Sequence, residues 1–417
     1  MNKRVIVYVL GAVLLIEAAL MLLPLLVAVI YREKNGWYFL WVLLGAAVLG
    51  ALALGLGGRK RSAMYAKEGL IAVALSWIVL SLVGALPFTL SGQIPFYLDA
   101  VFEMISGFTT TGSSILPNVE ALSRCMLLWR SFSHWLGGMG ILVFMLAIVK
   151  MEGGQGIHLL RAESPGPTVG KMVPRMVDSS KILYTIYFAL TLVQVVFYLA
   201  GGMPLFDSLC NAFATAGTGG FSVRNSGLAD YSAYLQAVTT VFMVLFGVNF
   251  SIYFFLLRRK FDLVWKNTEL RWYLGLIFGA IAVITVNTLS YYPRVYDAIH
   301  HAAFAVSSII TTTGYGTVDF NLWPELSRVI LVFLMIIGAC AGSTGGGLKV
   351  SRLIILFRAA RAEIHRLLHP HTVKVMQMDG KPISRESIRS VSTYLILYVF
   401  LVMASVLLVS LDNFDGS

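Results

Sequence analysis

Charge is scarce in this sequence. Asp, Glu, Lys and Arg make up 13% of its 417 residues, about half the share of a soluble globular domain. So few charges exclude a large water-covered surface. Cysteine is scarce too, with only Cys125, Cys210 and Cys340. An odd count excludes a fully paired disulfide framework. The three lie in or beside apolar segments without metal-ligand spacing, so they read as small buried side chains. A phosphate-binding loop is missing as well. Residues 342–348 superficially resemble one, but Leu348 stands where that motif requires Lys directly after its last Gly. No nucleic-acid-reading motif is present, and no nucleophile, base and metal set converges as an enzyme would need.

What is present is apolar length. Hydrophobic residues make up 58% of the chain and the mean hydropathy is +0.78. Long apolar segments run over residues 5–31, 37–57, 69–90, 124–149, 182–201, 234–257, 272–290, 326–357 and 392–411. Most reach the roughly 20 residues that cross a bilayer, which predicts nine spanning helices. The first run follows Lys3 and Arg4 and is far longer than a signal peptide's core of about 7–15 residues. Glu17 interrupts it. An intramembrane carboxylate is a functional candidate by default, but no partner is evident nearby, and a buried hydrogen bond or a protonated acid accounts for it.

The net charge of +11 is unevenly spread. Of the 32 Lys and Arg, 25 fall in alternate loops on one side, and the positive-inside rule makes that side cytoplasmic. It includes Arg59, Lys60 and Arg61, and the stretch 150–181. The basic excess then faces anionic lipid or an acidic partner surface. The outer side holds 11 of the 21 acids, among them Asp99, Glu103, Asp207, Asp297 and Asp319. Such a mouth concentrates cations.

One short element recurs between the apolar segments. Its copies are Phe108-Thr109-Thr110-Thr111-Gly112, Ala216-Gly217-Thr218-Gly219-Gly220-Phe221 and Thr311-Thr312-Thr313-Gly314-Tyr315-Gly316. Asp99 and Asp207 each stand 13 residues before the glycines Gly112 and Gly220. Recurrence points to a repeated structural unit: spanning helix, outer half-helix, Gly-Thr turn, spanning helix. Asp99 and Asp207 suit N-caps of the half-helices. Eight to ten helical residues would cover about 12–15 Å, so each half-helix ends near mid-membrane with its negative dipole end toward the axis. Carbonyls and Thr hydroxyls aimed at one axis replace the water shell of a dehydrated cation. Small-residue helix packing is the competing account of any one copy. In the second copy the register is open, since Gly219 or Gly220 could match Gly112.

The second helix of the third unit contains Gly342-Ser343-Thr344-Gly345-Gly346-Gly347. Four glycines in six residues, each costing nearly 1 kcal/mol against Ala, should break it. The break is either a flexible constriction below the filter or a close helix crossing. Lys349 and Arg352 follow it and could form an electrostatic barrier. Arg130 could stabilise the outer end of its helix. His365, His369 and His371 do not keep helical spacing because Pro370 intervenes, so no transition-metal site is expected. Val373 to Met378 alternates apolar and polar residues, and the Asp379-Gly380 pair that follows predicts a hairpin.

Together these motifs resemble the Trk/Ktr/HKT superfamily of potassium transporters, and most closely its bacterial TrkH branch. Arg130-Ser131-Phe132-Ser133-His134-Trp135-Leu136-Gly137-Gly138-Met139-Gly140 also fits that branch. The resemblance implies four pore units around one path and K+ as the transported ion. It implies a filter of Thr110, Thr111, Gly112, Thr218, Gly219, Gly220, Thr312, Thr313 and Gly314, above a gate of Gly342, Ser343, Thr344, Gly345, Gly346 and Gly347. It implies K+ alone as the metal and no cofactor bound by this chain. It further implies a homodimer in the bacterial inner membrane with its N-terminus in the cytoplasm. Its partner would be a cytoplasmic nucleotide-binding regulator of the TrkA type, because this chain has no dinucleotide fingerprint. A fourth unit is expected, and 392–411 looks like its first helix. Its half-helix, filter turn and closing helix do not follow within the 417 residues.

The expected fold is an all-α polytopic membrane protein of helix–pore loop–helix units behind two extra N-terminal helices. Its expected divisions are 1–66 (two N-terminal helices), 67–150, 178–260 and 268–360 (pore units 1 to 3), 361–389 (cytoplasmic segment) and 390–417 (incomplete unit 4). A proton- or sodium-coupled symporter with alternating access is the alternative. It is disfavoured by parallel repeats and by the few acids in the core helices.

Overall fold

The computed structural model describes residues 2–57, 66–140, 176–369 and 376–411. Within these the chain is helical apart from turns, a few short 3-10 turns and one two-stranded hairpin. Arg59, Lys60, Arg61, most of the stretch 150–181, His371 and Val373 lie outside the described residues.

Two apolar elements lead. Helices α1 (Lys3–Leu20) and α2 (Leu22–Ile30) form one 28-residue span, and α3 (Gly36–Gly57) packs back along α1. Pro24, in the first turn of α2, has no amide to continue the ladder, so the span breaks at Met21. Then the order long helix, short helix, turn, helix occurs three times. The first set is α4 (Ala66–Leu90), α5 (Tyr97–Phe108) and α6 (Arg124–Met139). The second is α7 (Met176–Ala200), α8 (Leu205–Ala216), α9 (Ala233–Phe246) and α10 (Phe250–Leu257). A short α11 (Phe261–Trp265) leads to the third, α12 (Thr268–Thr288), α13 (Val295–Ile310), α14 (Glu325–Ile337) and α15 (Val350–Leu368). A hairpin, β1 (Gln377–Met378) and β2 (Lys381–Pro382), precedes α16 (Arg385–Ser410).

The short helices differ from expectation in length and capping. They have 12, 12 and 16 residues, about 18 to 24 Å at 1.5 Å per residue. Asp99 and Asp207 sit inside the first turn, while Phe96 and Pro204 occupy the N-cap positions. The acids still face the positive dipole end. Asp207 also accepts from the Tyr231 hydroxyl at 2.8 Å.

Among the described residues six spans are long and apolar enough to cross a membrane, seven with one bent pair, where the whole sequence predicted nine. Besides the first, two of the expected segments are broken. The glycine-rich run divides 326–357 into α14 and α15. A second break, unforeseen, divides 234–257: α9 and α10 meet at 91° across Gly247, Val248 and Asn249. In the first unit α6 ends at Gly140, with φ at +79°. Residues 141–149 of the expected segment lie outside the described residues.

Helix α6 is the scaffold. Every residue from Cys125 to Leu136 is buried, although four of the twelve are polar or charged. Arg130, Ser131, Ser133 and His134 could not face lipid, so this helix is driven into the protein interior. Trp135 stacks on Tyr187 of α7 and on Phe132, with centroids 5.1 and 5.6 Å apart. Trp129 donates its indole N–H to the Gly84 carbonyl of α4 at 3.1 Å. The short helices α5 and α8 both pack against it. Outward-facing residues are apolar instead, such as Trp41, Leu52 and Phe278, as lipid contact requires. The three cysteines are free and buried.

The unforeseen break has a specific cap. Asn249 accepts from the Ser251 amide at 2.9 Å, and the Phe250 amide donates to the Gly342 carbonyl at 2.9 Å. Asn249→Ala should therefore destabilise the protein by about 0.5–2 kcal/mol, with Asn249→Asp largely restoring it. Thermal unfolding of the solubilised protein reads this, and identical midpoints for all three proteins would contradict it.

Candidate functional site

The three short helices end in the same way. After α5 the amide of Thr110 donates to Gly107 O and that of Thr111 to Ser106 O. After α8, Thr218 donates to Thr215 O and Gly219 to Ala214 O. After α13, Thr312 donates to Ile309 O and Thr313 to Ser308 O. Each is a Schellman ending, which requires a left-handed residue one place beyond the cap. That residue is usually Gly. Here it is Thr110, Thr218 and Thr312, with φ of 55°, 54° and 60°. A β-branched residue in this region is a true outlier, and such strain costs of order 1–3 kcal/mol. Hydroxyls offset part of it: Thr218 and Thr312 each donate to the preceding carbonyl at 2.6 Å.

Two residues further on, Gly112, Gly220 and Gly314 have φ of 79°, 81° and 85°. The shared geometry sets the register of the second copy: Gly220 corresponds to Gly112 and Gly314. Gly219 is glycine for another reason. It has no positive φ, but a Cβ there would strike the His134 ring, and one on Gly217 would strike the His134 carbonyl.

The turns converge. A Cβ on Gly112 would strike the Gly219 carbonyl oxygen, and one on Gly220 would strike that of Thr313. Turn two therefore presents a carbonyl to turn one, and turn three presents one to turn two. Gly314 has nothing within 4 Å of such a Cβ. The sequence-predicted residues are thus brought together as three adjacent strained turns. A cavity of about 450 Å³ opens above them, lined by Gly220, Asn225, Gly314, Tyr315, Thr317 and Asp319 among others.

Behind the turns lies a cluster that the sequence did not reveal. Arg130 of α6 pairs with Glu103 of α5, both buried. The same carboxylate accepts from the Ser114 hydroxyl at 3.0 Å and the Ile115 amide at 3.1 Å, just after turn one. Arg130 also donates to the Ser222 carbonyl at 3.1 Å and lies 3.5 Å over the Phe221 ring, just after turn two. The His134 ring stacks on Phe221, with centroids 4.0 Å apart. Tyr315, just after turn three, donates to the Phe221 carbonyl at 3.1 Å. One ion pair thus joins turns one and two, and Tyr315 ties turn three to them. Arg130 sits in the middle of α6, with its contacts to Glu103, Phe221 and Ser222 beside the first two turns. The only sequence signal was a charge inside an apolar run. Glu103 gave less, because it was counted with the outer acids. Several of those acids serve local bonds instead: Asp207 also lies 3.8 Å from Arg224, and Glu325 is 2.7 Å from Arg328.

Below the third turn, residues 338–349 form a compact loop. Its neck closes where a Cβ on Gly347 would lie 2.6 Å from the Gly338 Cα. The tip abuts the turn: the Gly346 amide donates to the Thr312 hydroxyl at 2.7 Å, and a Cβ on Gly345 would lie 3.0 Å from Thr311 O. Cys340 donates to Gly247 O at 3.1 Å, and the Thr344 hydroxyl to Phe246 O at 3.2 Å, so the loop sits in the break between α9 and α10. Lys349 folds its ammonium onto the Gly345 carbonyl within the same loop. Arg352 donates to Leu348 O at 3.1 Å, and its guanidinium lies 3.9 Å over the Tyr394 ring of α16. Glu17 has both carboxyl oxygens buried without a hydrogen-bond partner among the described residues.

The buried ion pair yields a stability prediction. Removing one partner leaves an uncompensated charge, so Arg130→Ala and Glu103→Ala should each cost about 3–5 kcal/mol. Because the two residues touch, the double variant should cost clearly less than the sum. Unfolding of the four solubilised proteins measures this, and strict additivity would contradict a direct pair.

Comparison with known proteins follows the same architecture. The family model described as "TrkH: Cation transport protein" matches residues 46–415. Among curated relatives, a Trk system potassium uptake protein TrkH from Salmonella typhimurium is 33% identical over all of this chain and 88% of its own length. Another TrkH, from Halomonas elongata, is 34% identical, covering 99% of this chain and 87% of the relative. The crystal structure of the potassium transporter TrkH from Vibrio parahaemolyticus superposes with a TM-score of 0.86 at 31% identity, covering 97% of this chain and 85% of that one. The chain is therefore a member of the TrkH family of cation transport proteins, a transporter family rather than an enzyme family.

Proposed function

We propose that the protein takes up K+ through a carbonyl-lined filter, with the loop of residues 338–349 as an intramembrane gate. The observation that carries this reading is the convergence of three identical strained turns, with the carbonyls of Gly219 and Thr313 set against Gly112 and Gly220. Oxygens held in this way substitute for the hydration shell of a large, weakly hydrated cation. The C-terminal, negative ends of α5, α8 and α13 point to the same place and favour positive charge there. Thr110, Thr111, Thr218, Thr312 and Thr313 complete the lining. The potassium uptake named for the relatives supports K+ as the ion.

The gate reading rests on contact. Gly345 and Gly346 press on Thr311 and Thr312 from beneath. Ser343, whose hydroxyl donates to Cys340 O at 2.6 Å, and Thr344 keep the loop folded. Lys349 and Arg352 add positive charge where the loop joins α15, which suits an electrostatic barrier to a cation. Transport is channel-like in this reading: the repeats are parallel, and among the described residues no relay of acids lines the turns.

The remaining assignments follow from charge and kinship. The Lys- and Arg-rich loops lie in the cytoplasm, which puts the N-terminus there and the turns' wide cavity outside. The protein works in a bacterial inner membrane as a homodimer. The relatives' names assign them to a Trk system, which supports a cytoplasmic nucleotide-binding regulator of the TrkA type. K+ is cargo, and this chain holds no cofactor of its own.

Two experiments on the full-length protein in liposomes test the proposal. Gly112→Ser places a side chain against the Gly219 carbonyl at a left-handed φ. K+ flux should fall, and Na+ flux relative to K+ should rise severalfold. Unchanged relative permeability would remove Gly112 from the filter. Deleting residues 345–347 should raise K+ flux severalfold without any added partner. Unchanged flux in a folded protein would reduce the loop to a helix crossing.

A further inference from the structure

The loop beneath the turns needs something to hold it, and that something lies in α12. Glu269 is buried at 4% exposure in the first turn of that helix. Its Oε1 accepts from the Ala341 amide at 2.7 Å and from the Ser351 amide at 3.1 Å. One amide lies near the start of the loop and the other just past its end. A single carboxylate oxygen therefore ties both ends of the loop to the first helix of the third unit. These amides belong to irregular backbone and to the open first turn of α15, so no helical carbonyl is available to them.

The residue before Glu269 is held from outside the bundle. The Thr268 amide, an orphan donor of the first turn, donates to Asp379 Oδ1 at 2.8 Å. The next orphan but one, on Leu270, is met by the N-cap residue Asn267 at 2.8 Å. Asp379 is exposed at the tip of the β1–β2 hairpin, where its φ of 50° and that of Gly380 at 75° form a turn of the primed type. Arg358 of α15 donates to the Gln377 carbonyl of the same hairpin. The hairpin thus grips the start of α12 and the flank of α15, the two helices that Glu269 joins to the loop.

We propose that Glu269 is the latch of the gate, and that Asp379 on the hairpin is the positioning residue that sets this latch. Displacing the hairpin shifts the first turn of α12, withdraws the carboxylate from Ala341 and Ser351, and frees the loop from Thr312. The hairpin lies at the end of α12 opposite the half-helix α13, on the face of the basic loops. A signal arriving there reaches the loop through four residues in sequence: Asp379, Thr268, Glu269, Ala341. The inference rests on the gate reading of the loop, and its test separates the two.

The test uses full-length protein, with hydrogen exchange read by mass spectrometry and K+ flux read in liposomes with no partner added. Deletion of residues 345–347 is the reference for an open gate. Glu269→Ala should speed exchange at Ala341 and Ser351 about tenfold or more, the factor that loss of hydrogen bonds to a charged acceptor carries. It should also raise flux toward that of the deletion. Glu269→Gln keeps an acceptor oxygen and should restore most of both, whereas Glu269→Met keeps the bulk without the acceptor and should not. Asp379→Ala, at an exposed site outside the membrane, should speed exchange at the same two amides and raise flux in the same direction. It reads the latch even if Glu269→Ala does not fold. If the deletion raises flux while Glu269→Ala and Asp379→Ala do not, the latch is wrong and the gate stands. If Asp379→Ala leaves exchange at Ala341 and Ser351 unchanged, the hairpin does not set the latch. If the deletion itself leaves flux unchanged, the gate reading falls and the latch with it.

Discussion

Irregular backbone inside a bilayer has no water to bond to, so each of its polar groups needs a partner within the protein. The rest of this structure depends on that constraint. Three short helices end among the long ones, and each ends in a paired set of hydrogen bonds that a left-handed Thr makes possible. The glycine-rich loop is answered by the carbonyls of Gly247 and Phe246, the Thr312 hydroxyl and the Glu269 carboxylate. The break between α9 and α10 is answered by Asn249 and Gly342. Turns, break and loop satisfy one another, so together they form a connected polar interior within an apolar shell.

The same network joins sites that differ in role. Arg130 and Glu103 reach turns one and two from behind, and Tyr315 extends the contact to turn three. A buried pair of this kind contributes little net stability, but losing one partner is costly. Its value here is geometric, because it fixes the distance between the first two turns, as the proposed filter requires. On the other side, Thr312 belongs to turn three through its backbone and to the loop through its hydroxyl. Movement of the loop therefore reaches the third turn directly.

Much of this was legible in the sequence, for physical reasons. Long apolar runs and the bias of Lys and Arg report membrane helices directly. The Thr-Gly turns recur, and recurrence separates a built element from incidental small residues. The run of four glycines announced a break because glycine is costly in a helix. Other features left no local trace. The break at Gly247 carries a single glycine and depends on Gly342, nearly a hundred residues away. Glu103 read as an outer acid and Glu269 did not stand out at all, since their partners are backbone groups, a serine hydroxyl and one arginine brought close only by folding. The register of the second turn stayed open because Gly219 and Gly220 look alike in sequence. One is glycine for its backbone angle and the other for the His134 ring. Asp99 and Asp207 resembled caps, yet entered the first turn, where the dipole favours an acid as well.

The central claim is that the three turns hold a dehydrated K+ between their carbonyls. Anomalous diffraction from crystals of the protein grown in Rb+ tests it most directly, because Rb+ resembles K+ in size and scatters anomalously. The account predicts a peak among Gly112, Gly220 and Gly314, within coordination distance of the Gly219 and Thr313 carbonyl oxygens and displaced by excess K+. Rb+ bound elsewhere in the molecule, with none between these turns, would contradict it.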